Sequence, residues 1–460
     1  MQDKIDSCCE NTSSTSKVIA SFFDLLTRGK IPYCVVGSNA DQLPKVPDND
    51  IDIIVAVAFL FEVERVIIES AASCNAVISQ ILPHETCAYY YVLSVACGEG
   101  YQFVKLDICS DYLRNGRLMI PADKLLDGRR ALWRDNKQFL YLPSPKAEFA
   151  YYIMKKVDKG HLDEKALCHL KAVYAEDAQG CDAVLRENWP GEMARQLQDA
   201  VLREDMGFFA AKSTELRRTL HAKLPRRSSG LLYLELRRLF VRITVPTGFA
   251  VVLLGPDGSG KSTVLSKIVP RTAALGRQTR QFHLWPKSGR QDDQGAPVTD
   301  PHALPPRGLA SSTLKLLFLV WRYNAGWLAA IFKPYRRSAM IWFDRYYHDM
   351  LADPPRYRMG APAWLVRLFG RLIPKPDLFL ILDVRPEVAR TRKSEVSEVE
   401  SQRQFHAYRA LAKDLPNAVL IDANGTPEEV ASACERAVVE SIACRLDRRM
   451  GWKRTNRVSP

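Results

Sequence analysis

The sequence predicts an α/β protein of two domains: an N-terminal mixed sheet with a helical extension, then a parallel sheet with helices on both faces. Three observations carry that reading. An apolar run, Ala250 to Leu254, leads into Gly255-Pro-Asp-Gly-Ser-Gly-Lys-Ser262 and then a helical pattern with Val264, Leu265, Ile268 and Val269 on its apolar side. Strand, glycine-rich turn and helix in that order frame a phosphate-binding P-loop. Far upstream, Asn49-Asp-Ile-Asp-Ile-Ile-Val-Ala56 alternates with a period of two and reads as a strand with acids on one face. Finally, 460 residues exceed what one core usually organises, while 47% hydrophobic and 25% charged residues make an ordinary globular composition.

Taken in order, Val18, Ile19, Phe22, Phe23, Leu25 and Leu26 form a helical stripe over 17–29, ended by Gly29. Ile31-Pro-Tyr-Cys-Val-Val-Gly-Ser38 is a strand running into Gly-Ser. The strand after the next loop sets Asp50 and Asp52 on one face, opposite Ile51 and Ile53. Two carboxylates so placed repel unless a cation lies between them, as a two-metal phosphoryl-transfer site requires. Asp107, in Phe103-Val-Lys-Leu-Asp-Ile108, is the third candidate metal ligand. The other reading is that these are solvated strand-end acids.

Strand-Gly-Ser, loop, Asp-x-Asp and a later single Asp resemble the nucleotidyltransferase fold of the polymerase-β type. That resemblance implies Gly37 and Ser38 on the triphosphate side and metals on Asp50, Asp52 and Asp107. The Ser38–Asp50 loop lacks the Arg and Glu common in active small members. A domain that keeps this fold without its chemistry therefore stays open.

From Ser144 the texture is helical. Ser144 caps a helix with Pro145 at its first position, and further helices cover 167–173, 183–185 and 193–202. Lys155, Lys156 and Lys159 read as a solvated basic face or as phosphate contacts. The boundaries are 1–143 for the first domain, 144–230 for its helical extension, 231–247 for a basic linker with an amphipathic piece, 248–446 for the P-loop domain and 447–460 for a basic tail. Pro225-Arg-Arg-Ser-Ser-Gly230 reads as a hinge and Lys287–Arg307 as a flexible loop.

In the P-loop, Gly255, Gly258 and Gly260 let backbone N–H groups converge on phosphate oxygens, helped by the positive end of the following helix. Pro256, Asp257, Ser259 and Thr263 complete the triphosphate-binding stretch. Lys261 is expected at the β/γ-phosphates, and Ser262 on Mg²⁺. Downstream, Ala339-Met-Ile-Trp-Phe-Asp344 has the form of a strand ending in a metal-ordering carboxylate, and Arg345 is placed to pair with an anion.

Asp344-Arg-Tyr346 after an apolar strand, downstream of a P-loop, resembles the thymidylate kinase family. Pro376–Val384 resembles its next strand, Arg385–Lys393 the lid opening, Gln402–Arg409 the lid-closing helix, Ala418–Asp422 the last strand and Pro427–Leu446 the final helix. The resemblance implies an ATP- and Mg²⁺-dependent kinase, with Asp257 and Arg345 on the acceptor side and Asp344 on the metal. The loop has no Arg, so Arg390, Arg392, Lys393 and Arg403 are candidates to meet the charge on the transferred phosphoryl group, Arg392 or Arg403 foremost. It also implies a homodimer. The long loop and apolar helix before Asp344, and Asp353-Pro-Pro-Arg-Tyr-Arg358 after it, depart from that family. They resemble a subgroup fused to a nucleotidyltransferase-like domain and associated with bacterial surface-polysaccharide genes.

A net charge of +13 suggests anionic company, here a nucleoside triphosphate and a small anionic acceptor rather than nucleic acid. Eleven cysteines without C-x-x-C spacing, and a start without a signal-peptide core, suggest a reduced cytoplasmic protein. Leu314–Phe332 is strongly apolar, but Lys315 and Arg322 break it, so a half-buried helix is expected and no membrane span. Its basic tail, Lys333 to Arg337, leaves a peripheral membrane contact open. Two rival functions remain: nucleotidyl transfer by the N-terminal carboxylates, and nucleotide-dependent binding without turnover.

Overall fold

The computed structural model describes residues 3–37, 40, 43–44, 50–85, 87–98, 100–114, 117–134, 136–160, 162–224, 229–286, 305–392 and 397–451. Ser38, Lys393, most of the expected 287–307 loop, most of the 225–230 hinge and the end of the basic tail lie outside them. The chain forms two compact units, one holding Met1–Cys97 and Gln102–Phe240, the other Val241–Thr455.

In the first unit, α1 (Asp3–Arg28) buries the predicted stripe of Val18, Ile19, Phe22, Phe23 and Leu26 but begins well before residue 17. Gly29 ends it, its amide bonding the Leu25 carbonyl. Strands β1 (Tyr33–Val36) and β2 (Ile51–Val55), helix α2 (Leu60–Ser73) and strands β3 (Ala76–Glu85), β4 (Ala88–Cys97) and β5 (Gly100–Cys109) follow. The sheet order is β1-β2-β5-β4-β3, with β1/β2 and β3/β4 antiparallel and β2/β5 parallel. The β3/β4 pair escapes sequence reading because Ala88–Cys97 is almost unbroken apolar and shows no alternation.

Two small hairpins, β6 (Tyr112–Arg114) with β7 (Arg117–Ile120) and β8 (Arg130–Arg134) with β9 (Lys137–Leu142), flank α3 (Ala122–Leu126). Helix α4 (Pro145–Lys159) starts at the predicted cap, the Ser144 hydroxyl accepting from the Ala147 amide at 3.3 Å. Then come α5 (Glu164–Glu176), α6 (Ala178–Asn188), α7 (Gly191–Arg203) and α8 (Met206–Lys223). Asp163, Asp177 and Asp205 cap three of them. Phe149, Leu167, Trp189 and Leu216 share one core with Cys34 and Ile54, so the helices cover the sheet. The stretch expected as a linker is mostly helix: α9 spans Ser229–Thr244.

The second unit is built on β10 (Phe249–Leu254), buried along its whole length. Around it run α10 (Lys261–Arg271), β11 (Gln278–His283), α11 (Leu309–Gly326), a π turn over Trp327–Ile331, α12 (Phe332–Arg336), β12 (Ala339–Asp344), α13 (Asp349–Ala352), α14 (Ala363–Gly370), β13 (Leu378–Asp383), α15 (Pro386–Arg392), α16 (Glu398–Asp414), β14 (Ala418–Asp422) and α17 (Pro427–Met450). All five strands are parallel, in the order β11-β12-β10-β13-β14. Continuous apolar strands of this kind need cover on both faces, which the helices provide. Helix α11 is half-buried as expected, turning Leu316, Leu319 and Tyr323 inward. No helix among the described residues is long and apolar enough to cross a membrane.

Candidate active site

In an open parallel sheet, ligands bind beyond the carboxyl ends of the strands, where the strand order reverses. Here that place is the end of β10, between β12 and β13. The chain leaves β10 at Gly255, turns through Gly258 and Gly260 at φ near +80°, and enters α10 at Lys261. Gly258 is required twice over. Its φ of +80° is in the left-handed region, and a Cβ there would strike the Ala389 carbonyl of α15. Around Gly260 a Cβ would meet open space, so the start of α10 is uncovered on that side.

Lys261 is buried and folds back on its own loop, Nζ donating to the carbonyls of Gly255 at 2.8 Å and Pro256 at 2.7 Å. Burial, with repulsion from Arg345, pulls its ammonium down to about 7 despite Asp257 and Asp344. A group in that state gains from an arriving polyanion.

Arg345 follows β12 with φ +67°, a strained backbone for a side chain of that size. Its amide is tied to the Leu253 carbonyl at 3.1 Å, which fixes the turn. The guanidinium is buried and forks. Nη1 donates to Asp349 Oδ2 at 2.7 Å, and Nη2 donates to Asp257 Oδ1 at 2.8 Å. Arg356, from a 3₁₀ turn over Pro355–Tyr357, donates to Asp257 Oδ2 at 2.5 Å. Asp349 is fully buried and also accepts from Tyr357 at 2.7 Å and Tyr408 at 2.6 Å.

Burial would raise both carboxyls. Lys261, Arg345 and Arg356 hold Asp257 well below the usual range, while Arg345 and the two phenols hold Asp349 down. Three cations (Lys261, Arg345, Arg356) thus meet three carboxylates (Asp257, Asp344, Asp349). The network is a preformed set of charges with little left to reorganise.

Asp344 lies between the ends of β10 and β11, in register with Leu253 and His283. Its Oδ1 is buried and takes no hydrogen bond from the described residues. A buried carboxylate oxygen without a donor suits a hard cation, and Mg²⁺ needs only one or two carboxylates beside phosphate and water. Asp344, with the Ser262 hydroxyl at the start of α10, could hold it.

The two foremost lid candidates are engaged elsewhere. Arg392 donates to the carbonyls of Ala423, Asn424 and Gly425 beyond β14, and Arg403 to Glu400, Asp353 and the Ala352 carbonyl. Arg390 pairs with Glu398. The cation beside the loop that sequence reading missed is Arg356. Asp353-Pro-Pro-Arg-Tyr-Arg358 was legible as a specialised segment, but not its target. Asp349 was signalled only by its i,i+4 spacing from Arg345, and Tyr408 by nothing local.

In the first unit, register pairs Asp52 with Asp107 on adjacent parallel strands, while Asp50 lies exposed ahead of β2. Where a cation was expected, the Lys155 ammonium of α4 donates to Asp52 Oδ2 at 2.8 Å and to the Tyr151 hydroxyl at 3.0 Å. Burial opposes that charge, but Asp52 outweighs it and holds the ammonium up. Among the described residues no group of three or more His, Cys, Asp or Glu is placed to hold a metal ion. Lys155 thus engages Asp52, one of the three acids of the expected Asp50–Asp52–Asp107 set. The Gly37 amide, expected on the triphosphate side, donates instead to the Glu148 carboxylate at 2.9 Å.

Comparison with known proteins agrees with the second unit. The thymidylate kinase family profile matches residues 254–434. A probable thymidylate kinase of Pyrobaculum aerophilum is 30% identical over 202 residues, 40% of this chain and 92% of that protein. A thymidylate kinase of Xylella fastidiosa is 26% identical over 208 residues, 44% of this chain and 92% of that protein. A probable thymidylate kinase of Methanosarcina acetivorans is 29% identical over 210 residues, 42% of this chain and 95% of that protein.

Proposed function

We propose that this chain, which belongs to the thymidylate kinase family through residues 254–434, is an ATP- and Mg²⁺-dependent kinase acting on a nucleotide or another small phosphorylated or sugar acceptor. The observation that carries this reading is the Arg345 guanidinium, buried against the P-loop and held by Asp257 and Asp349. A loop that only binds a triphosphate has no use for an arginine anchored so rigidly on its second side.

The triphosphate would lie along residues 255–263, its charge drawing Lys261 out of the loop carbonyls. Bound Mg²⁺, held by Ser262 and Asp344, would neutralise phosphate charge. Asp257, Arg345 and Arg356 lie on the acceptor side and would fix the acceptor's phosphate or hydroxyl groups. Phosphoryl transfer asks mainly for positioning and charge neutralisation, which this network is built to give. The α15–α16 segment carries Arg390, Arg392 and Arg403, whose present partners are backbone carbonyls and carboxylates that a bound triphosphate could exchange. Arg356 adds a second cation beside Asp257, which suits an anionic acceptor, whether a nucleoside monophosphate or a phosphosugar.

Nucleotidyl transfer by the first unit is less well supported. Asp52 already has a lysine, and the Gly37 amide already has a carboxylate. ATP labelled at the γ-phosphate, incubated with nucleoside monophosphates, phosphosugars and sugars, separates the readings. Label in an acceptor product supports the kinase, and label only in inorganic phosphate overturns it.

A further inference from the structure

The carboxyl edge of the second sheet holds a polar group that the charged network leaves unused. His283 ends β11 in register with Asp344 at the end of β12. Register partners on neighbouring strands share a face of the sheet. The rings of Phe282 and Phe343, one position earlier, do so visibly, stacked with centroids 5.5 Å apart. His283 and Asp344 therefore share the other face. Phe282 is half-buried, whereas His283 is exposed, and its ring takes no hydrogen bond among the described residues.

The backbone that follows is strained. Leu284 has φ +60°, in the left-handed region that bulky side chains avoid. The Trp285 amide donates to the His283 carbonyl at 2.7 Å, closing a three-residue turn. Three contacts pin that turn. The Leu284 amide donates to the Asp344 carbonyl at 2.9 Å, the Tyr323 hydroxyl donates to the Leu284 carbonyl, and the Arg322 guanidinium lies 4.4 Å over the Trp285 ring. Arg345 leaves β12 in the same region, at φ +67°. Two adjacent strands thus leave the sheet through strained non-glycine residues, side by side. Strain of this kind persists only where the surroundings enforce it, and it collects at ligand sites.

Sheet order places the turn relative to the loop. The P-loop follows β10, Asp344 and Arg345 follow its neighbour β12, and the His283 turn follows β11, one strand further out. Partial burial holds the imidazole below the usual histidine range; Asp344 and Asp349 oppose that shift, while Arg345 and Arg356 add to it. The ring therefore lies within reach of the charges that line the candidate site. We propose that His283 is a specificity-determining residue for the acceptor: its imidazole hydrogen-bonds an acceptor oxygen, of a hydroxyl or of a phosphate, beside Arg345 and Arg356. This deepens the kinase reading and rests on it.

The test has two arms, both on the full chain. In the first, the histidine rings are ¹³C-labelled, and the signal that His283→Gln removes is followed without ATP as nucleoside monophosphates, phosphosugars and unphosphorylated sugars are added. That signal should shift with at least one of them. A shift with phosphorylated compounds only assigns a phosphate oxygen, and a shift with an unphosphorylated sugar assigns a hydroxyl. In the second, His283→Ala should raise KM for the acceptor about 2- to 10-fold, the range for one hydrogen bond, and leave KM for ATP unchanged. His283→Gln, which keeps an N–H donor, should recover most of the loss. No shift with any compound, or an unchanged acceptor KM in His283→Ala, overturns the proposal. So does an equal rise in KM for ATP, which would put His283 on the triphosphate side. The kinase reading fails separately, when no compound stimulates ADP release by the wild type, and the ring signal still decides for or against His283.

Discussion

The Arg345 guanidinium donates to the Asp257 carboxylate at 2.8 Å, joining a residue after β12 to one inside the loop after β10. Adjacent parallel strands bring the two ends together, so the contact follows from sheet order. On the proposed function, it makes the P-loop one wall of a two-substrate site.

Asp349 is what holds Arg345 in that position. Asp349→Ala leaves a buried guanidinium with half its compensation, which costs about 3–5 kcal/mol. Thermal unfolding should show a lowered midpoint for the second unit, with kcat falling alongside. Tyr408→Phe removes one hydrogen bond to a buried carboxylate and should cost less, about 1.5–3 kcal/mol. Equal effects of the two changes would place the anchoring elsewhere.

Arg356 is partly exposed and pairs with Asp257, while the buried Arg345 is held by both Asp257 and Asp349. Arg356→Ala should lower kcat/KM for the acceptor about 10- to 100-fold, the range for a lost charge-assisted hydrogen bond, and barely change KM for ATP. A change confined to the ATP side would assign Arg356 to the triphosphate instead.

Lys261, held down to about 7 by burial, supplies a pH signature. In the free protein it loses its proton as pH rises through 7, and a bound triphosphate raises it again. ATP binding at pH 8 should therefore take up close to one proton, read calorimetrically in buffers of different ionisation heat. Uptake should vanish near pH 6, where Lys261 is already charged. Affinity should weaken by up to about tenfold per pH unit above 7 until the bound-state value is passed. Proton uptake that persists in Lys261→Arg would assign it to another group.

In the first unit, Lys155 and Asp52 should behave as a structural pair. Lys155→Met leaves Asp52 uncompensated and should lower stability by about 1–3 kcal/mol, while adding Asp52→Asn should recover most of it. ATP turnover should be unchanged in both variants. Loss of turnover in either would tie the N-terminal acids to the chemistry.

What the sequence disclosed was local. Gly255–Thr263 and Asp344–Arg345 are contiguous strings whose spacing is their mechanism, and the apolar strands around them are short runs. Ser144 and the 17–29 stripe were equally readable. What escaped depends on tertiary closure. Tyr408 reaches Asp349 across 59 positions and Lys155 reaches Asp52 across 103, so no window of sequence contains either pair. Arg392 and Arg403 were picked for charge and neighbourhood, but the carbonyls beyond β14 and the α13 end offered them closer partners.

The most direct test of the central claim is acceptor-stimulated ADP release by the full chain, measured with Mg²⁺ and ATP across nucleoside monophosphates, phosphosugars and sugars. The account predicts stimulation by at least one acceptor, abolished in Lys261→Ala and cut severely in Arg345→Ala. ADP release that no acceptor stimulates, or stimulation that survives in Lys261→Ala, would contradict it.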